Sequence, residues 1–412
     1  VTRFVDIAIV GAGAAGLGAG GRLKRSSVAF ALLEARDRAG GRGHTARVDG
    51  LPLDLGCGWL HSARRNSWTA VAESRGLEID RSRPAWEKPA LDVSPGAQSA
   101  YRTAFANFED RLAAAAAGPD RPASDLFTEA DARWRPLLDA FSGYYNGAPF
   151  ERISVHDYAA YRPTEDNWRV RIGYGALMET FAEALPVTHG CAVSVIERRR
   201  DGVRLSTAQG ELEARVAILC LPTTVLAEER VRIEPAEPVM LEAAAALPLG
   251  DVDKAFLRLA GAAEFDPDTR FQPRTDTTDT AAYTLRPMGL PVIEAFFGGA
   301  LAARLEREGP GAFAAFARAE LAEALGSGFG RRLRPLAESR WSADPFARGA
   351  YSHARPGFAD RRAVLARPLD DRIFFAGEAC SPHDFSTAHG AYDTGVAAAE
   401  AALAAIGAPA GA

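Results

Sequence analysis

The stretch DIAIVGAGAAGLGAGGRL, residues 6–23, constrains the chain more than any other. Phe4 to Val10 is a short, almost uncharged, β-branched run of the kind a buried parallel strand requires. Gly11, Gly13 and Gly16 then give G-x-G-x-x-G and lead into a helix. Gly11 permits the tight turn, Gly13 lets backbone N–H groups approach a pyrophosphate, and Gly16 lets the helix pack close to the strand. The helix N-terminus faces the phosphate charge. A second strand, Val28 to Leu33, ends in Glu34. A carboxylate there accepts hydrogen bonds from an adenosine ribose and repels a 2′-phosphate, so NADP is disfavoured and NAD or FAD remains. AGGR at Ala39 to Arg42, soon followed by Thr45, tilts the choice to FAD. Its glycine pair, with Gly41 next to the arginine, suits a second backbone approach to the pyrophosphate, and Arg42 adds a charge-assisted donor.

With 412 residues the chain exceeds what one core usually serves, and two domains are expected. It is 47% apolar and 25% charged, with a formal net charge of -5. Lys and Arg are spread rather than massed, so no nucleic-acid partner is expected. Cys57, Cys191, Cys220 and Cys380 are scattered without metal-ligand spacing. They read as reduced, mostly buried thiols of a cytoplasmic protein, and no metal site is expected. No basic-then-apolar leader precedes the first strand, and no apolar run has the length of a membrane span.

Further along, LPLDLGCGWLH (51–61) reads as a hairpin with a core tryptophan. From about 65 to 170 the pattern is helical, which places a domain boundary near residue 80. GYGALMETFAEAL (173–185) is an amphipathic helix. CAVSVIERRR, GVRLSTAQG and ARVAILCLP are strands beside the first domain. DKAFLRLA and VIEAFFGG are strands of a mixed stretch, 234–334, with a helix through FAAFARAELAEAL. A strand, DRIFFAGE, and a final helix close the chain. There is no internal repeat, and disorder is expected only in the last few residues. The nucleotide domain is then discontinuous, 1–80, 171–233 and 335–412, and residues 81–170 and 234–334 form the second domain.

The C-terminal segment RIFFAGEACSPHDFSTAHGAYDTGVAAAE, the N-terminal turn, AGGR, GCGWLH, LPLGDVDKAFL and WSADPFARGAYS occur together and in order. In them the chain resembles the flavin-containing amine oxidases, a family of monoamine oxidases, polyamine oxidases and lysine-specific histone demethylases, and its motifs are closest to the polyamine oxidases. The resemblance spans nearly the whole chain. It implies an α/β, Rossmann-like FAD-binding domain with an inserted α+β substrate domain of mixed sheet and helices, and an active site between them. It assigns Gly11, Gly13 and Gly16 to the pyrophosphate, Glu34 to the ribose, and Arg36 and Arg42 to neighbouring polar groups. Val193 would hold the adenine through its backbone. Gly58 and Trp59 would lie along the flavin, Trp341 would pack on it, and Gly377-Glu378 would meet the ribityl or pyrophosphate region. Ala388 would set a backbone N–H near the flavin carbonyl edge. Lys254 matches the family lysine that holds a water near flavin N5, and Tyr351 would wall an aromatic site.

Departures are equally informative. Mammalian monoamine oxidases carry a flavin-attaching cysteine just before the tyrosine; here Ala350 stands there, so the FAD is expected to be noncovalent. Their second cage tyrosine is Thr387 here, as in polyamine oxidases. His61 falls where animal polyamine oxidases have a histidine, able to bind or tune a substrate ammonium. His389 reads as structural. Glu165-Asp166 reads either as a solvated loop or as an acidic channel mouth. The activity implied is oxidative deamination of a primary or secondary amine, polyamine-like, with dioxygen reduced to hydrogen peroxide. The alternatives are a small-monoamine oxidase, an L-amino-acid oxidase using Arg169, Arg171 or Arg286, and a non-catalytic flavoprotein module. A second copy of the chain is left open as a partner.

Overall fold

A computed structural model describes residues 3–91 and 93–408; the last residues, expected to be disordered, lie outside that range. The first strand, Arg3–Val10, lies parallel to Phe30–Leu33 on one side and to Gly210–Leu219 on the other. Ile373–Phe375 and Val187–Thr188 extend this parallel core outward. Strands Gly202–Thr207 and Val193–Arg199 add antiparallel, and Arg232–Glu234 closes the sheet at eight strands. From Ile7 on, the first strand feeds two cores alternately, as a strand covered on both faces does. Ile7 and Ile9 enter one core with Leu17 and Leu32, whereas Val5, Ala8 and Val10 enter the other with Leu219. Each fully buried side chain of this size contributes about 1.5–3 kcal/mol.

The helix after the glycine turn, Ala14–Leu23, packs along the C-terminal helix, Ala388–Ala405. Small residues let the two backbones touch: a Cβ on Gly395 would stand 1.9 Å from the Ala15 carbonyl oxygen. Both helix N-termini are thereby brought to the same end of the sheet.

A second, six-stranded sheet runs in the order Leu333–Glu338, Val252–Leu259, Val292–Gly298, Ala282–Leu285, Thr269–Phe271, Ala90–Leu91. Helices Gly299–Glu308 and Ala312–Leu325 cover one face through Phe297, Leu301, Phe313 and Leu321. The opposite face carries Lys254, Thr284, Glu294 and Arg270. A helical layer, Pro95–Ala115, Arg135–Asn146 and Val155–Ala160, has its own core around Phe108, Leu138 and Phe150.

Three placements differ from the sequence reading. Leu333–Glu338 is an edge strand of the second sheet, so a boundary at 335 cuts through a strand. Helix Pro238–Ala246, assigned to the second domain, packs Met240, Ala243 and Ala244 into a core of the first sheet. In 51–61 the hairpin is Thr45–Val48 with Leu51–Asp54, and Trp59 is half-buried rather than core. Among the described residues no helix is long and apolar enough to cross a membrane.

Candidate active site

One cavity of about 910 Å³ extends from the glycine turn to the polar face of the second sheet. That is near the upper end of the roughly 300–1,000 Å³ typical of small-molecule sites. All the residues assigned above to cofactor or catalysis line it except Gly16. Gly16 instead supports the turn from behind: a Cβ there would lie 1.8 Å from the Gly11 carbonyl oxygen.

At the nucleotide end Gly11 has φ of +98°, and a side chain would also strike the Cys220 carbonyl. Gly13 caps the following helix without a side-chain acceptor, and no acidic residue lies in the first turn. The first-turn N–H groups therefore face the cavity unclaimed by side chains, a ready anion site. Glu34 is buried; its carboxylate accepts the Ala12 N–H at 2.8 Å and the Arg36 N–H at 2.9 Å. A carboxylate has about four acceptor sites, so Glu34 can also take ribose hydroxyls. Gly40 bridges to Gly13, which sets the two glycine turns side by side with Gly41 against Gly13. Val193 lines the wall where its ladder with Gly202–Thr207 is irregular. Arg36 is turned to Asp344 at 2.6 Å and lies over the Phe346 ring.

Arg42 pairs with Glu378 at 3.1 Å and donates to the Ala350 carbonyl. Burial alone would raise the Glu378 carboxyl. Arg42, Arg362 and hydrogen bonds from Ser352 and Ser386 outweigh it and hold the group below its usual range. Gly377, with φ of +154°, carries the chain into Glu378. Trp341 donates its indole N–H to the Leu55 carbonyl at 3.1 Å.

The middle of the cavity centres on Lys254, which is 6% exposed. Its ammonium meets Glu294 at 2.9 Å and the Asp54 carbonyl at 3.2 Å, and Gly58 passes beside it. Burial lowers the His61 pKa; Asn167, 2.7 Å from its Nδ1, opposes this, and Lys254 reinforces it. Tyr351 donates its hydroxyl to the Tyr144 carbonyl and presents its ring to the cavity. Trp59 packs edge-on against Trp86 at 4.3 Å, with the Arg169 guanidinium over the Trp59 ring, 4.5 Å from its centroid.

Thr387 is a helix cap. Its hydroxyl donates to the Asp384 carbonyl at 2.6 Å and accepts the Gly390 N–H at 3.0 Å, while the residue lines the cavity. Ala388 opens that helix at the cavity wall. His389 is buried against Asp384 and pushed down to about 4 by burial. Asp166 pairs with Arg64, and Glu165 is exposed. The arginines considered for a carboxylate are engaged elsewhere: Arg169 with Asp80 and Asp268, Arg171 with Glu78, and Arg286 on the Phe265 carbonyl. Sequence reasoning missed Glu294, Arg270, Tyr101 and Tyr144, all on the cavity wall.

A dinucleotide-binding sheet sharing a cavity with a lysine-bearing second sheet defines a two-domain redox scaffold. A family model described as flavin containing amine oxidoreductase matches residues 115–403, and one described as NAD(P)-binding Rossmann-like domain matches 9–74. The chain belongs to the flavin-containing amine oxidoreductases, whose cofactor is a flavin. Polyamine oxidase 2 of Arabidopsis thaliana is 28% identical over 439 residues, covering 97% of this chain and 88% of the relative. Lysine-specific histone demethylase 1 homolog 3 of Oryza sativa subsp. indica is 26% identical, over 96% of this chain and 53% of the relative. The solved structure of wild-type putrescine oxidase bound to putrescine shares the fold, with a TM-score of 0.79 at 20% identity over 98% of this chain and 100% of that one.

Proposed function

We propose that the chain is an FAD-dependent oxidase of a primary or secondary amine, polyamine-like in its reacting segment, with dioxygen as final acceptor and hydrogen peroxide as product. The observation that carries this is the single cavity joining the glycine turn and Glu34 to the Lys254–Glu294 pair. The relatives named as polyamine oxidases support the substrate class.

The residues present fit FAD. The uncapped helix start and the paired glycine turns would take the pyrophosphate, Glu34 the ribose, and Trp341, Gly58 and Ala388 the ring system. When bound, the flavin supplies the acceptor for the hydride equivalent that leaves the carbon beside the amine nitrogen. The cofactor is held noncovalently: Ala350 precedes Tyr351, and burial pushes the cavity-lining Cys57 thiol up to about 12, away from a nucleophilic thiolate.

The protein's own groups orient and desolvate the amine. A nitrogen that is to release electrons toward its α-carbon must be neutral. Burial disfavours the charged form of the His61 ring, so the neutral ring can accept a hydrogen bond from the substrate nitrogen and orient it. The Tyr351 ring and the Trp59–Trp86 pair form apolar walls that exclude water. Lys254 has three N–H donors, of which Glu294 and the Asp54 carbonyl take two. The third remains for a water or a reacting oxygen species.

The test is anaerobic mixing of the flavoprotein with a panel of amines and L-amino acids while oxidised-flavin absorbance is followed. Bleaching by amines, and release of the yellow colour into the supernatant on acid precipitation, are expected. Bleaching by amino acids alone overturns the amine reading, and flavin retained in the pellet overturns noncovalent binding.

A further inference from the structure

The far end of the cavity carries a cation, Arg270, that no carboxylate among the described residues pairs with. Strand Thr269–Phe271 sets Arg270 opposite Thr284, which in turn sits opposite Glu294, so these side chains share the cavity face of the second sheet. Glu294 is taken by Lys254 at 2.9 Å. The other lining carboxylates, Glu34 and Glu378, belong to the nucleotide end. Among the described residues no carboxylate lies within 4.0 Å of Arg270, whose one hydrogen bond is to the Trp86 carbonyl at 3.2 Å. The groups facing it are Tyr101, Tyr144 and a second cation, Arg102. Burial pushes Tyr101 up to about 12, so its hydroxyl stays protonated, a donor with no protein acceptor among the described residues.

We infer that Arg270, with Tyr101, is a recognition site for an anionic far end of the substrate: a carboxylate on an extended aliphatic amine. This rests on the amine-oxidase reading and specifies its substrate. A guanidinium half-withdrawn from water and without a counter-charge is costly, and a carboxylate supplies both charge and paired acceptors. A free ammonium at that end would add repulsion instead. The position separates this from an α-carboxylate clamp. The strand of Arg270 lies three strand spacings from that of Lys254, roughly 14 Å, whereas an α-carboxylate is bonded directly to the reacting carbon. Desolvation lowers the Arg270 pKa, as withdrawal of a cation from water requires.

Three amines of spermidine length test this, identical except for one end: a free ammonium, an acetamide, or a succinyl cap ending in a carboxylate. Anaerobic flavin bleaching is measured for each at subsaturating concentration. The carboxylate-ended amine is expected to react at least tenfold faster than the free polyamine, with the acetamide between. Arg270→Gln should remove the ranking through KM, Arg270→Lys should keep part of it, and Arg270→Glu should reverse it, all with an unaltered flavin spectrum reporting an intact fold. Equal rates for the three amines, or a preference that survives Arg270→Gln, overturn the inference and leave the amine-oxidase reading standing. Bleaching by none of them overturns both.

Discussion

Replacing Glu34 by glutamine keeps the shape of a side chain that is 3% exposed and removes one of its two acceptor oxygens. In the native protein one oxygen takes the Ala12 N–H and the other the Arg36 N–H. In the variant one of those N–H groups confronts an amide NH₂. A hydrogen bond to a charged group contributes about 1.5–3 kcal/mol, and 1.4 kcal/mol is a factor of ten in affinity. If the loss falls on the turn that must be formed to bind the cofactor, the Kd for FAD rises roughly 10- to 100-fold. Glu34→Ala removes both acceptors, and its loss is larger, limited by water entering the vacated space. The assay is titration of the deflavinated protein with FAD, followed by flavin fluorescence, with near-ultraviolet circular dichroism confirming packing. A Glu34→Gln variant that binds FAD within about twofold of wild type would refute the claim that this carboxylate shapes the turn.

Thr387→Ala should cost about 1 kcal/mol of stability, the usual loss for an N-cap, and Thr387→Ser should restore it; a large fall in flavin-reduction rate with unchanged stability would place Thr387 in the chemistry. A second expectation concerns acid. Burial pushes His44, His353 and His389 down to about 4 and lowers His61 as well. In the unfolded chain these rings take up protons near pH 6.5, so between that value and about 4 the unfolded state holds more protons and stability falls as pH falls. The urea midpoint at about pH 5.5 should lie below that at about pH 7, a window above most carboxylate titrations; a flat or rising midpoint contradicts the assignment.

The nucleotide end was legible because its determinants are local. Strand, glycine turn, helix and Glu34 follow within one βαβ unit, and each residue type answers to a backbone requirement: Gly11 a positive φ, Gly16 a contact too close for a Cβ. The substrate end was legible only where a motif marked it, at Lys254 and Tyr351. Glu294 and Arg270 reach the cavity through strand register, Lys254 opposite Phe296 and Glu294 opposite Thr284, across loops whose length says nothing about pairing. Alternation in VIEAFFGG gives the face of Glu294 but not its neighbour. Thr387 carries two signals at once. A threonine just before a helix is an N-cap signal on its own, yet its place in a family motif drew the reading toward chemistry. The boundary at 335 cuts the strand because an edge strand with only Leu333 buried, carrying Arg334, Pro335 and Glu338, looks like a linker in sequence.

The two ends meet at Lys254, and the meeting bears on what that lysine is for. A lysine that only packs a strand carries its ammonium out to water along its apolar stem. Lys254 instead keeps it inside, bonded to Glu294 of the neighbouring strand and to the Asp54 carbonyl of the Thr45–Asp54 hairpin. The hairpin loop can come this close because residue 58 is glycine: a Cβ there would stand 3.3 Å from the Lys254 nitrogen. Holding an ammonium in a cleft with one donor hydrogen unspent is costly in stability, and Glu294 offsets only part of the cost. A methionine would fill the same space without it. The arrangement therefore makes sense as chemistry directed into the cavity, with the hairpin and the segment after it fixing the height of the ammonium and the second sheet's register fixing its lateral position.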